Sequence, residues 1–132
     1  MNDKSPSDQV LAVKDDSTER SIPTAWRQPF RDIVEAFIAS DYRLENGVAG
    51  VAPVSPQTAA QIRDYLNSYG ATLVALPEES WGSSTCLWYG DHWEALVDLW
   101  TQEEGSSDLV LQTKVTEANA RFIIQVNLVY VP

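Results

Sequence analysis

The run Trp93-Glu94-Ala95-Leu96-Val97-Asp98-Leu99-Trp100-Thr101 decides how this chain is read. Its residues alternate with a period of two, the spacing of a strand whose successive side chains leave on opposite faces. Trp93, Ala95, Val97 and Leu99 share one face and read as core, while Glu94, Leu96, Asp98 and Trp100 share the other. Just upstream, Gly90-Asp91 is a tight-turn pair, which makes Thr85 to Tyr89 the other arm of a hairpin with His92 to Thr101. Downstream, Glu104-Gly105-Ser106-Ser107 turns the chain into a strand over Leu109 to Thr116. Glu117 to Ala120, containing Asn119, turns it again into Arg121 to Val131. On this last strand Phe122, Ile124, Val126, Leu128 and Tyr130 alternate as the expected buried face. A further short strand is expected over Thr72 to Leu76, stopped by Pro77.

Before Gly70 the period is helical. Trp26, Phe30, Ile33, Val34, Phe37 and Ile38 lay one apolar stripe along a helix, with Arg27, Arg31, Asp32 and Glu35 on its wet side. Pro29 is best tolerated near a helix start, so the regular helix is expected from about Gln28 to Ser40. Ser55-Pro56 is an N-cap and first-turn pair opening a second helix through Ala59, Ile62, Leu66 and Tyr69, closed by Gly70. Two helices followed by closely linked strands specify an α+β domain. Its two N-terminal helices should pack on one face of a four- to five-stranded antiparallel meander.

With 132 residues the chain has room for one such core, assigned to residues 23–132. Residues 1–22 are rich in Asp, Lys, Ser, Asn and Glu and read as a flexible N-terminal arm. Within it, only Val10-Leu11-Ala12-Val13 offers enough apolar surface to dock or to add a short strand. Nineteen acidic against nine basic residues give a formal charge of -10, which argues against nucleic acid or an anionic membrane as partner. One cysteine excludes an internal disulfide, the first residues lack the apolar core of a secretion signal, and no run approaches a membrane span. A cytoplasmic location is expected.

Catalytic equipment is sparse. His92 and Cys86 are the only residues of their kinds, and a hairpin around Gly90-Asp91 sets His92 beside the turn with Cys86 several residues from it. Cys86 reads as a small buried hydrophobe and His92 as a surface residue. Asp91, His92 and Glu94 do not converge as metal ligands, because neighbouring strand residues point to opposite faces. Residues 103–108 are too short for an EF-hand loop, and Gly47 to Gly50 lacks the lysine of a phosphate-binding loop. No catalytic residue, metal or cofactor is expected. Pairs drawn from Glu78, Glu79, Asp91, Glu94 and Asp98 leave a small carboxylate hydrolase as an alternative.

The uneven feature is charge. Between Arg63 and Lys114 there is no Lys or Arg, yet nine acids fall there, together with four of the five tryptophans. Carboxylates accelerate encounter with a basic partner, and rigid aromatic groups supply anchoring area at low entropic cost. Glu78, Glu79, Trp81, Asp91, Glu94, Asp98, Trp100, Glu103 and Glu104 are the expected partner-binding residues. A homo-oligomeric module is the remaining alternative, pairing through the edge of the last strand or through Ile123, Val129 and Val131 on its wet face.

The pattern Pro53-Val54-Ser55 before a helix, Tyr69-Gly70, Leu76-Pro77, Trp81, Trp88-Tyr89-Gly90, Trp93 to Leu99 and Glu104 to Leu109 resembles a small bacterial α+β domain over residues 22–132. In size, acidity and lack of catalytic groups the chain is also similar to immunity proteins of contact-dependent growth inhibition and related polymorphic toxin systems. That resemblance implies one partner, a cognate basic toxin domain such as a nuclease, whose active site the immunity protein blocks.

Overall fold

A computed structural model describes residues 9–132. The elements are β1 (Arg20–Ser21), α1 (Thr24–Ile38), α2 (Pro56–Tyr69), a 3-10 turn (Glu78–Gly82), β2 (Thr85–Trp88), β3 (Trp93–Thr101), β4 (Gly105–Ala118) and β5 (Arg121–Tyr130). The five strands form one antiparallel sheet in sequence order, β1 to β5, with the helices packed against it. This is the α+β architecture that the alternating periods specify. Among the described residues no helix is long and apolar enough to cross a membrane.

Helix α1 starts earlier than expected and carries Pro29 inside it. The missing N–H of Pro29 faces the carbonyl of Ala25, an exposed residue that water can serve. Burial of Trp26 at 1% exposure offsets the remaining cost, and Arg27 fastens the entry by donating through Nε and Nη2 to the Ile22 carbonyl. The expected stripe is otherwise in the core, except that Ile38 at its end is exposed. Helix α2 follows the sequence closely. The Ser55 side chain accepts the Thr58 N–H at 3.2 Å, and Gly70 stands at φ 82°, donating to the Leu66 carbonyl.

On the sheet, Trp93, Ala95, Val97 and Leu99 are all buried beneath the helices, as their alternation requires. The two central residues of the β4–β5 turn, Asn119 and Ala120, both have positive φ, the geometry that matches the twist of a two-residue hairpin. Thr72 to Leu76 does not make a strand. Only Leu73 bridges Thr101, and the segment then wraps the upper edge of β3 through Val74, whose N–H donates to the Trp100 carbonyl.

Both edges of the sheet differ from the sequence expectation. From Gln9 onward the expected arm lies against the domain, and Arg20–Ser21 pair with Cys86 and Thr85 as an edge strand; residues 1–8 of the arm lie outside the described residues. At the opposite edge, strand β5 carries a bulge, because Thr113 pairs with Val126 but Gln112 pairs with Leu128, leaving Asn127 as an extra residue. The bulge turns Val129 into the core at 0% exposure and moves Leu128 and Tyr130 to the opposite face, reversing the expected alternation after Val126.

The outer edge of β5 is also occupied. Gln61 of α2 donates to the Val129 carbonyl at 2.8 Å and accepts its N–H at 3.3 Å, and Tyr65 accepts the Val131 N–H. Further along, Ile124 is bonded through both backbone groups to Gly50 and Ala52. Side chains and a loop thus take the ladder positions that an incoming strand would use. The β5 edge and Val129, two of the places given for the alternative of homo-oligomeric pairing, are filled from within, whereas Ile123 and Val131 stay exposed at 40% and 38%.

Candidate functional site: the open face of the sheet

The helices cover one face of the sheet; on the other, no described element lies across β3, β4 and β5. Its residues are set by the register. Thr85, Leu96, Gln112 and Leu128 form one row across the strands, Leu87, Glu94, Lys114 and Gln125 a second, and Asp98, Val110 and Tyr130 a third. Trp100 pairs with Ser106 at the end of the face, its ring lying against Gly105, where an added Cβ would meet it at 3.6 Å. A cleft of about 450 Å³ adjoins the third row, lined by Asp98, Ser107, Asp108, Val110, Val131 and Pro132.

Of the nine residues expected to bind a partner, three come together here: Glu94, Asp98 and Trp100. Each is half-buried by its cross-strand neighbours, and Glu94 accepts from Gln112 Nε2 at 3.0 Å. Asp98 is held in place by its backbone, whose N–H donates to Ser84 and whose carbonyl accepts from buried Ser80 at 2.7 Å. That pair of serines ties the 3-10 turn to the sheet while leaving the Asp98 carboxylate free to face outward.

The other six go elsewhere. Trp81 is 5% exposed and belongs to the core, with the guanidinium groups of Arg27 and Arg31 about 5.5 and 5.4 Å from its ring. Its aromatic surface is worth more under α1 than on a partner, so the sequence reading of it as an anchor is corrected. Glu78 accepts from Arg31, and that hydrogen bond holds its carboxyl below the usual carboxylate range. Glu79 is exposed beside it, on the α1 side of the molecule. Asp91 pairs with the ring of His92 at the β2–β3 turn, and His92 in turn stacks on Tyr89.

Glu103 and Glu104 are structural staples of the β3–β4 turn. Glu103 accepts the Thr72 N–H at 2.9 Å, which lowers its pKa, and also the Thr72 hydroxyl. Glu104 accepts from Tyr69 and from Thr101. These two carboxylates fasten the end of α2 and the following loop to the sheet. They do not join Glu94 and Asp98.

The long acidic run is therefore not one surface. Cations from outside the run reach into it, Arg31 at Glu78 and Lys114 in the row beside Glu94. What remains on the open face is Glu94, Asp98 and Asp108 around Leu96, Trp100, Leu128 and Tyr130, with Val110 buried between them, Ile123 exposed at the far end and Lys114 as the neighbouring cation. Leu128 and Tyr130 were placed inside by a simple alternation. Only the Val-Asn-Leu-Val run at 126–129, with a polar residue between apolar ones, carried a trace of the bulge.

Cys86 is buried against β1, its thiol donating to the Ser21 carbonyl, and burial pushes its pKa up to about 11. A thiol-reactive dye at pH 8 is expected to leave the folded protein unlabelled and to label one site per chain once urea unfolds it. Rapid native labelling would show that β1 does not cover Cys86. Among the described residues no three His, Cys, Asp or Glu side chains converge as metal ligands. A family model described as a domain of unknown function, DUF7668, matches residues 34–132. No curated protein and no solved structure matches the chain.

Proposed function

We propose that this chain, which belongs to the DUF7668 family, is a non-enzymatic, cytoplasmic binding protein whose open sheet face docks a basic protein domain. Its part would be that of an immunity protein neutralising a cognate toxin, a nuclease in the simplest case. The observation that carries this reading is the mixed composition of the uncovered face. Asp98, Asp108 and Glu94 are interleaved with the large apolar groups of Leu96, Trp100, Leu128 and Tyr130 on a rigid surface whose rows the strand register fixes. A solvated rim needs no aromatic or leucine side chains, and a sealed core tolerates no unpaired carboxylates.

Mechanistically, Asp98 and Asp108 would lie opposite the Lys and Arg side chains with which a nuclease grips phosphates. Trp100 and Tyr130 would supply the desolvated anchors. The net negative charge of the chain would steer the encounter.

The test is binding to the product of the adjacent gene, if that product is basic, or to a basic protein that co-purifies with the chain, measured by surface plasmon resonance over a salt series. The double variant Glu94→Lys/Asp98→Lys is expected to slow association about 10- to 100-fold at low salt and to flatten the salt dependence. Association that is as fast and as salt-sensitive as that of the unaltered chain would exclude the open face as the docking surface.

A further inference from the structure

The segment from Gln9 to Lys14 crosses one end of the helix-side face, away from the open face. Val10 exchanges two hydrogen bonds with Thr24: its N–H donates to Oγ1 at 2.8 Å, and its carbonyl accepts the Thr24 N–H at 2.8 Å. The Val13 carbonyl accepts from Trp93 Nε1 at 3.0 Å. Lys14 Nζ lies 3.1 Å from a Glu117 carboxylate oxygen and 5.5 Å over the ring of Trp88. Burial alternates along the segment, with Val10 and Ala12 half-buried and Leu11 and Val13 exposed at 69% and 38%.

Beneath it is an aromatic floor of Trp26, Trp88, Trp93 and Phe122, with neighbouring ring centroids 4.6 to 5.8 Å apart. Floor and occupant are held very unequally. Trp26 and Trp93 are fixed by the core, whereas none of residues 9–14 is buried. The Lys14–Glu117 pair is largely solvated, and such pairs contribute little. A segment with few buried contacts opens locally at low cost. Opening this one leaves an intact aromatic trough, an indole N–H seeking a carbonyl, and a carboxylate beside an indole face, the usual pair of features that receives an ammonium group. The trough is also longer than its occupant. Two clefts of about 370 and 420 Å³ share Ala25 and Phe122 and continue toward Pro29 and Gly50.

We propose that residues 9–14 are an intramolecular stand-in for a partner peptide. The groove takes a lysine-bearing segment of another protein that has small apolar residues four and two positions before the lysine and a carbonyl placed for Trp93. This site is independent of the open sheet face, and its failure leaves the reading of that face untouched.

The test uses the full chain and, as probe, an acetylated synthetic peptide of residues 9–16 added in trans. Lys14→Glu sets a second negative charge against Glu117 and removes the cation over Trp88. Lys14→Gln removes the attraction without the repulsion. Lys14→Glu is expected to speed hydrogen exchange of the Trp93 indole N–H about tenfold by NMR, and Lys14→Gln about two- to threefold, both leaving those of Trp26 and Trp81 unchanged. Peptide binding should tighten over the unaltered chain by the same factors, about tenfold for Lys14→Glu and two- to threefold for Lys14→Gln, and it should re-protect Trp93. Exchange of all three indoles at one common rate in the variants would make the segment an inseparable part of the core and overturn the proposal. So would the absence of peptide binding by both variants.

Discussion

Replacing Trp93 by Ala is expected to lower the unfolding free energy by about 3–5 kcal/mol, the range for removing a fully buried large aromatic. Trp93 is 2% exposed and packs edge-on or tilted against Trp26, Trp88 and Phe122, so three rings lose their common neighbour at once. It also anchors the N-terminal segment through Nε1. A domain of this size is stable by only about 5–15 kcal/mol, and the variant should therefore show a much lower urea midpoint and a weakened near-UV signal. Trp100→Ala is the matched control. Its ring lies on the half-buried open face against Gly105, so its loss should cost less than about 2 kcal/mol. Equal costs for the two variants would contradict the assignment of opposite faces to Trp93 and Trp100.

That assignment was legible in the sequence because a nine-residue strand with strict alternation leaves one choice of face. The helices were legible for a similar reason: Ser55-Pro56 and Gly70 have backbone requirements that act locally. What was hidden depended on partners distant in sequence. Pro29 argued for a later helix start, but the pull on Trp26 comes from Trp93 and Phe122. Glu103 and Glu104 looked like part of an acidic surface, and only folding brings Thr72 and Tyr69 to them. The candidate site shrank to Glu94, Asp98 and Trp100 for the same reason. A gap in the sequence distribution of Lys and Arg says nothing about Arg27 and Arg31, which reach Trp81 from another element.

The bulge in β5 yields the sharpest contrast, between deletions at two neighbouring positions of one strand. Removing Asn127 takes out the extra residue and lets β5 continue as a regular strand with Val126 and Val129 still inward and Leu128 and Tyr130 still outward. The pairing of Thr113 with Val126 and of Gln112 with Leu128 survives, as does the clasp of Gln61 on Val129. This deletion is expected to cost no more than about 2 kcal/mol, chiefly through lost local twist. Removing Gln125 shortens the strand by the same amount but, with the β4–β5 turn kept in place, is absorbed by carrying Asn127 into the core position that Val126 fills at 4% exposure, while Val126 turns to solvent. A buried amide without a partner and an evicted valine together should remove at least about 4 kcal/mol. The first variant should therefore remain a cooperatively folding protein in thermal melts, and the second should lose its transition or drop by tens of degrees. If both deletions proved equally harmful, Asn127 would be a residue that the strand requires, and the reversal of faces that places Leu128 and Tyr130 beside Asp98 would need another cause.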